Sequence, residues 1–198
     1  MKLYDNLPFP NRIIVKHPDS GGCLALIWKN DVKMEVINCT ANHVLAKVKE
    51  VDGFEWFLTS FYGWLEIAQK EKSWKLLSHL TDFIDEPWLC IGDFNAFLSS
   101  SKKLSKRPPN YGQIEAFWEA LDLCLLEDLG FKGYPFTWIN KRPREANTKI
   151  RLDRAVATKG WREKFQLSSA THLSSHASDH LPILLQVISF GPKRDRSV

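Results

Sequence analysis

The sequence predicts an α+β sandwich: two packed, mainly antiparallel sheets with helices on the outside. Three observations carry this expectation. Apolar runs of strand length recur along most of the chain. Some of them alternate apolar and polar residues with the period of two that marks half-buried antiparallel strands. Only two segments keep helical spacing over several turns, with a third of a single turn.

Residues 1–11 read as irregular, with Pro8 and Pro10 as breakers. Arg12–Val15 is a short strand, and His17–Gly22 is a turn rich in Pro, Asp, Ser and Gly. Cys23–Trp28, Val32–Cys39 and His43–Val51 follow as strands; the second alternates Val32, Met34 and Val36, and the third Val44, Ala46 and Val48. Glu55–Phe61 is another strand. Glu66–Phe83 has helical spacing, with Ile67, Trp74, Leu77 and Leu80 on one stripe. Trp88–Ile91 reads as a buried strand. Gln113–Leu129 is a second amphipathic helix, with Ile114, Phe117, Leu121 and Leu125 facing inward and Gly130 stopping it. Phe136–Ile139, Ile150–Ala157, Gln166–Leu173 and Ile183–Ile188 complete the strands, and Lys159–Lys164 suits a helical turn. One domain is expected over residues 1–190, with a disordered tail from Gly191.

A chain of 198 residues can bury a sizeable core in one domain. Hydrophobic residues are 44% and charged residues 25%, which places it among globular, soluble chains, and most of the eight Trp are expected in the core. The net charge of +4 permits a polyanionic partner without demanding one. Cys23, Cys39, Cys90 and Cys124 form no C-x-x-C pair and lie in apolar runs. They read as buried, reduced thiols of a nuclear or cytoplasmic protein, not a secreted one. No apolar stretch reaches the roughly 18 residues of a membrane span, and Met1–Asn6 lacks the apolar core of a signal peptide. A monomer is expected.

Two motifs far apart carry the chemistry: W-L-C-I-G-D-F-N at Trp88–Asn95 and S-D-H-L-P at Ser178–Pro182, with R-L-D-R at Arg151–Arg154 between them. Asp93 and Asn95 follow a strand and flank Phe94, so in extended geometry they share a side while Phe94 turns to the core. An ionised Asp can hold a metal or take a proton from water, and an Asn beside it can orient that water. An Asx turn closing a strand is the plainer reading of G-D-F-N taken alone. Asp153 lies inside a strand next to inward-facing Leu152. A carboxylate there is costly without a partner, and a His is a natural one; a surface salt bridge to Arg151 or Arg154 is the plainer alternative. Tyr62 ends a strand and suits either a phosphate contact or core packing. Phe136, Thr137, Trp138 and Asn140 suit either an aromatic edge beside nucleotides or the core. Lys102, Lys103, Lys106 and Arg107 make one basic loop, and Lys141, Arg142 and Arg144 another; both read as solvated loops or as phosphate contacts. His172, His176 and His180 are spaced by four, but Thr171–Asp179 is poor helix material, so zinc is not expected.

In order, Tyr62, then G-D-F-N, then R-L-D, then S-D-H resembles the endonuclease/exonuclease/phosphatase superfamily, which includes deoxyribonuclease-I-like and apurinic endonucleases. Finer wording resembles the endonuclease domain of plant non-LTR (LINE-type) retrotransposons. That wording is S-G-G-x-L-A-L-x-W at Ser20–Trp28, F-Y-G-W at Phe61–Trp64, W-L-C-I-G-D-F-N and F-T-W-x-N at Phe136–Asn140. The resemblance covers residues 8–189. It implies a four-layered α/β sandwich and Mg²⁺-dependent (or Mn²⁺-dependent) hydrolysis of phosphodiesters in DNA or another nucleic acid. It further implies that Asp93 deprotonates or positions the attacking water and that Asn95 orients it. His180 stabilises phosphoryl charge and is held cationic by Asp153. Asp179 assists metal or water placement, and Tyr62 contacts the phosphate. Apart from the resemblance, Thr137, Trp138, Asn140, Arg151, Lys102 and Lys103 are the expected nucleic-acid contacts.

The departure is at the front. The family places an Asn on its first strand and a metal-binding Glu on the next, both ahead of the segment resembling Ser20–Trp28. Residues 1–19 hold Asp5, Asn6, Asn11 and Asp19 but no Glu. Glu35 lies in a later strand and is expected to face solvent. The chain therefore reads as N-terminally truncated, with first strands missing, low Mg²⁺ affinity and impaired catalysis. The alternative is a noncatalytic retroelement remnant that binds nucleic acid weakly.

Overall fold

The computed structural model describes residues 9–16, 23–85, 87–105, 108–143, 146–175 and 178–189. The turn expected at 17–22, the tail from 191, and Lys106, Arg107, Arg144 and His176 lie outside these residues. The centre is a six-stranded mixed sheet of order β3-β4-β5-β6-β12-β8. Its strands are β3 (Lys33–Thr40), β4 (His43–Lys49), β5 (Glu55–Tyr62), β6 (Trp88–Asp93), β8 (Glu127–Asp128) and β12 (Asp153–Ala157). β3, β4 and β5 form a meander, whereas β5 and β6 run parallel. A parallel pair needs a crossover, supplied here by α1 (Lys70–Thr81).

Alternate residues of each strand feed two cores. On one face Phe57, Phe61, Trp88 and Cys90 pack with Leu77 and Leu80 of α1 and with Phe117 and Leu121 of α2 (Tyr111–Leu123). On the other, Val48, Trp56, Leu89, Ala155 and Ala157 pack with Trp161 of α3 (Lys159–Lys164) and with Phe165. This second face is covered by two separate small sheets. β1 (Asn11–Lys16) and β2 (Cys23–Trp28) form a hairpin, and β2 lies against β4 and β5. β14 (Ile183–Gln186) lies against β12 and pairs with β13 (Ser169–His172), which pairs with β9 (Lys132–Gly133). Between them, Leu58, Ser60 and Ile91 on that face are only half-buried, whereas Phe57, Thr59, Phe61 and Cys90 on the helix face are fully buried. A third small sheet joins β7 (Lys103–Leu104), β10 (Trp138–Ile139) and β11 (Lys149–Ile150). The expected sandwich of sheets with outer helices is present.

Several local expectations are corrected. The predicted strand Ile150–Ala157 is two strands in different sheets, β11 and β12, because the chain steps between sheets at Arg151–Leu152. The first helix begins at Lys70 after a 3₁₀ turn, which leaves Ile67 exposed. The second ends at Leu123, six residues before its expected end. Leu125 then takes a left-handed conformation (φ 53°) that turns it to solvent and buries Leu126 instead. β4 is buried on both faces, not half-buried, because it is an internal strand covered by β2. Cys23 and Cys39 are exposed, whereas Cys90 and Cys124 are buried as expected. Only Trp56, Trp88 and Trp161 are fully buried. No helix among the described residues is long and apolar enough to cross a membrane.

Candidate active site

Strand register builds the site. Tyr62 ends β5 beside Asp93, which ends the parallel β6, and Asp93 faces Asp153, the first residue of the antiparallel β12. Three polar side chains thus stand in one row at one end of three adjacent strands. Gly92 lets β5 approach: it has φ +150°, and a Cβ there would lie 2.0 Å from the Phe61 carbonyl oxygen.

His180 completes the row from another part of the chain. Its segment bridges Trp138 and is fixed by main-chain bonds from Leu181 N–H to Thr137 O (2.7 Å) and from Ile139 N–H to Asp179 O (3.0 Å). Its Nδ1 is 2.9 Å from Asp153 Oδ2, and its Nε2 lies 3.9 Å from Asp93 Oδ2. The expected carboxylate–imidazole partnership is therefore present. Donor atoms of Asp93, Asp153 and His180 lie within 4.8 Å of one another, a grouping able to hold a metal ion.

The electrostatics follow from burial and proximity. Burial pushes the Asp93 carboxyl up, Asp153 adds like-charge repulsion, and together they carry its pKa to about 6 against His180, the Asn95 N–H and Lys70. Burial disfavours the His180 imidazolium, but the bond to Asp153 and the charges of Asp153, Asp93 and Asp179 outweigh it, so its pKa is raised. Burial and the Asp93 charge keep the Tyr62 hydroxyl protonated above its ordinary range.

Asn95 does not continue the strand, as extended geometry would require. It adopts φ +51°, its N–H donates to Asp93 Oδ1 (2.8 Å), and its Nδ2 donates to Gly63 O (2.9 Å). Phe94 is fully buried, as expected. The Asx turn is therefore present at the strand end. It also ties the turn after β6 to the turn after β5, whose Gly63 approaches so closely that a Cβ would lie 2.4 Å from the Phe94 carbonyl oxygen.

The remaining candidates have the following surroundings. Asp179 stands outside the Asp93–Asp153–His180 group; its Oδ2 accepts from the Trp138 indole N–H (3.0 Å), which orients that ring instead. Thr137 is fully buried, and its hydroxyl oxygen accepts from the N–H groups of Leu152 (3.0 Å) and Asp153 (2.9 Å). It holds Asp153. Arg151 is buried with both terminal nitrogens 2.8 Å from Asp128, so its charge is neutralised inside the protein. The Asn140 side chain closes its own loop through Arg142, Ala146 and Thr148. Lys103 lies over the Phe97 ring, and the Lys102 side chain is outside the described residues. His172 sits in β13, and its Nδ1 is 2.6 Å from Tyr134 O, apart from His180.

Sequence reasoning missed three contributors. Asn42 anchors Tyr62 through both main-chain and side-chain bonds (2.8 Å each). Asp128 pairs with both Arg151 and the fully buried Arg154. Lys70 donates to the carbonyls of Trp64 and Asn95. None had a signal in the sequence: each is a common polar residue in a turn or at an element's end.

The fold resembles solved structures at low identity. The endonuclease domain of TRAS1, a telomere-specific non-LTR retrotransposon, superposes with a TM-score of 0.68 at 14% identity, covering 90% of this chain and 78% of that one. The 3′ phosphatase NExo from Neisseria, bound to a product DNA hairpin, gives 0.63 at 15% identity, covering 93% and 84%. An AP endonuclease from Archaeoglobus fulgidus gives 0.61 at 16% identity, again covering 93% and 84%. No curated protein matches the sequence. The family match rests on sequence and spans almost all of the elements described above, from residue 3 to His180 itself. With the strand-end row in place, it establishes that the chain belongs to the Endonuclease/Exonuclease/phosphatase family.

Proposed function

We propose that this chain is a divalent-metal-dependent phosphodiesterase domain acting on DNA, of the type with which non-LTR retrotransposons, plant LINE-type elements in particular, nick their target. The observation that carries the reading is His180, held by Asp153 on Nδ1 and presenting Nε2 toward Asp93. An imidazolium so held is placed to offset charge developing on a phosphoryl oxygen. Asp93 accepts a proton from the attacking water as the water oxygen bonds phosphorus and the ester P–O bond breaks, its electron pair leaving on the sugar oxygen, which is protonated by solvent water. Asn95 orients that water, and the protonated Tyr62 hydroxyl donates to a phosphate oxygen.

The residues fit a hard cation such as Mg²⁺ or Mn²⁺. Two mutually repelling carboxylates beside an imidazole are an arrangement that a cation relieves. Asp93 is the natural holder, because Asp153 is committed to His180. Such a cation commonly keeps water and substrate phosphate as its other ligands, and when bound it supplies charge neutralisation at the phosphate.

A second reading is a noncatalytic domain that binds nucleic acid weakly. It rests on the described metal-holding group, which has only two carboxylates, one of them bonded to His180. Nicking of supercoiled plasmid by the purified chain decides between them. Catalysis predicts nicking that needs Mg²⁺ or Mn²⁺, is abolished by EDTA and falls at least 10²-fold in His180→Ala. A folded chain that binds DNA and never nicks it supports the second reading and refutes the first.

A further inference from the structure

Lys70 opens α1, yet its ammonium is turned inward. It donates to Trp64 O at 2.6 Å and to Asn95 O, main-chain carbonyls of two different turns. The first turn follows Tyr62 at the end of β5; the second carries Asn95 after Asp93 at the end of β6. Burial pushes the Lys70 pKa down to about 8, and the nearby Asp93 and Glu66 charges oppose that shift. A lysine at an exposed helix start would be hydrated. This one has exchanged water for two carbonyls beside the Asp93–Asn95 pair.

These two turns are also linked by Gly63 N–H to Asp93 O (2.8 Å) and by Asn95 Nδ2 to Gly63 O (2.9 Å). The first turn is held to α1 a second time, through Trp64 N–H to Ser73 Oγ (2.9 Å). Asn95 sits in left-handed backbone, which a non-glycine residue keeps only where its surroundings hold it. The fixed contacts of Asn95 are its own N–H and amide, and its carbonyl is what Lys70 secures.

We propose that Lys70 is a positioning residue of the phosphodiesterase site, clamping the turn that carries Asn95 to the turn that follows Tyr62. This rests on the reading of the site given above. The clamp sets the Asp93–Asn95 pair against Tyr62, so that water and phosphate are held in one geometry. It acts through Asn95 and touches neither water nor phosphate itself. An ammonium suits the task, with several donors on a flexible stem that can satisfy two converging carbonyls.

Lys70→Met keeps most of the stem and removes the donors; Lys70→Arg returns donors and charge. Residue-resolved amide exchange is followed beside steady-state nicking of a short duplex in Mg²⁺. Lys70→Met is expected to raise exchange at Gly63 and Asn95 at least tenfold and leave Leu45 and Ala46 of β4 unchanged. It is also expected to lower kcat about tenfold with KM within twofold of wild type. Lys70→Arg is expected to recover part of both losses. Unchanged exchange at Asn95 in a folded Lys70→Met overturns the proposal, as does raised exchange with an unchanged kcat. If Lys70→Met unfolds altogether, Lys70→Arg decides: wild-type protection at Asn95 supports the clamp and its loss overturns it. A wild type that does not nick refutes the phosphodiesterase reading and with it the positioning role in catalysis. The exchange data then still decide whether the clamp exists.

Discussion

Asp93→Asn is expected to stabilise the protein. Asp93 is 13% exposed, stands opposite Asp153 across two antiparallel strands, and has its pKa lifted from 3.8 to about 6. A raised folded pKa on an acid means that the folded state holds the proton more tightly than the unfolded chain does. Stability therefore declines as pH rises from about 4 to about 6, and the loss is complete above that. Roughly two pH units correspond to about 3 kcal/mol of strain at neutral pH. The attractions of His180 and Lys70 are already included in that net shift. Asparagine removes the charge and keeps an amide oxygen to accept the Asn95 N–H, so the turn survives. In EDTA at pH 7.5, urea denaturation is expected to show Asp93→Asn more stable by about 2–3 kcal/mol, or about 4–12 °C in Tm for a chain of this size. At pH 4 the gain should vanish. Adding Mg²⁺ at ten times its Kd should narrow the gap by about 1.4 kcal/mol, because only wild type keeps the holding carboxylate. An Asp93→Asn protein no more stable than wild type at pH 7.5, or equally stabilised at pH 4, refutes the reasoning.

Asp128→Ala leaves Arg151 and the fully buried Arg154 without a carboxylate, so it is expected to cost about 3–5 kcal/mol in urea denaturation. Burial alone would raise the Asp128 pKa, but the two arginines outweigh it and the net shift is downward. The stability this carboxylate contributes is full above about pH 4 and is lost as pH falls through its folded pKa, so the gap between wild type and variant should close in acid. Thr137→Val removes the oxygen that accepts from Leu152 and Asp153 N–H, with an expected loss of about 1–3 kcal/mol. It should also lower the His180 pKa in an NMR titration, since Asp153 is then less well held; an unchanged titration would show that Thr137 does not orient Asp153.

What could be read from the sequence was what a local pattern encodes. Cys23–Trp28 and Glu55–Phe61 are recognisable as strands, and both exist as β2 and β5. The stripe of Trp74, Leu77 and Leu80 gave α1 its inward face. Asp153 needed a partner because a half-buried carboxylate inside a strand is costly, and His180 meets that need. Patterns that depend on distant contacts were not readable. Ile150–Ala157 reads as one strand, and only Thr137, fifteen or sixteen residues away, shows where it breaks by taking two successive N–H groups. Leu125 has the helical spacing of an inward residue, but the chain reverses at Cys124 and places Leu126 in the core. Arg151 and Arg154 look like solvent-facing charges until β8 brings Asp128 alongside β12.

The same asymmetry explains the nucleic-acid assignments. Residue type marked Arg151, Thr137 and Asn140 as groups able to bind phosphate or bases, and each is used internally. Arg151 is paired with Asp128, Thr137 holds Asp153, and Asn140 closes a loop. Their roles converge on Asp153. β12 is anchored through Asp128, its first N–H is received by Thr137, and its Asp153 holds His180. Holding His180 and crowding Asp93 come from one position, Asp153, the residue registered opposite Asp93. The carboxylate that raises the His180 pKa therefore also weakens the acidity of Asp93. Replacing Asp153 with a neutral residue should relax Asp93 and release His180 together. The two functions share one side chain and cannot be optimised separately.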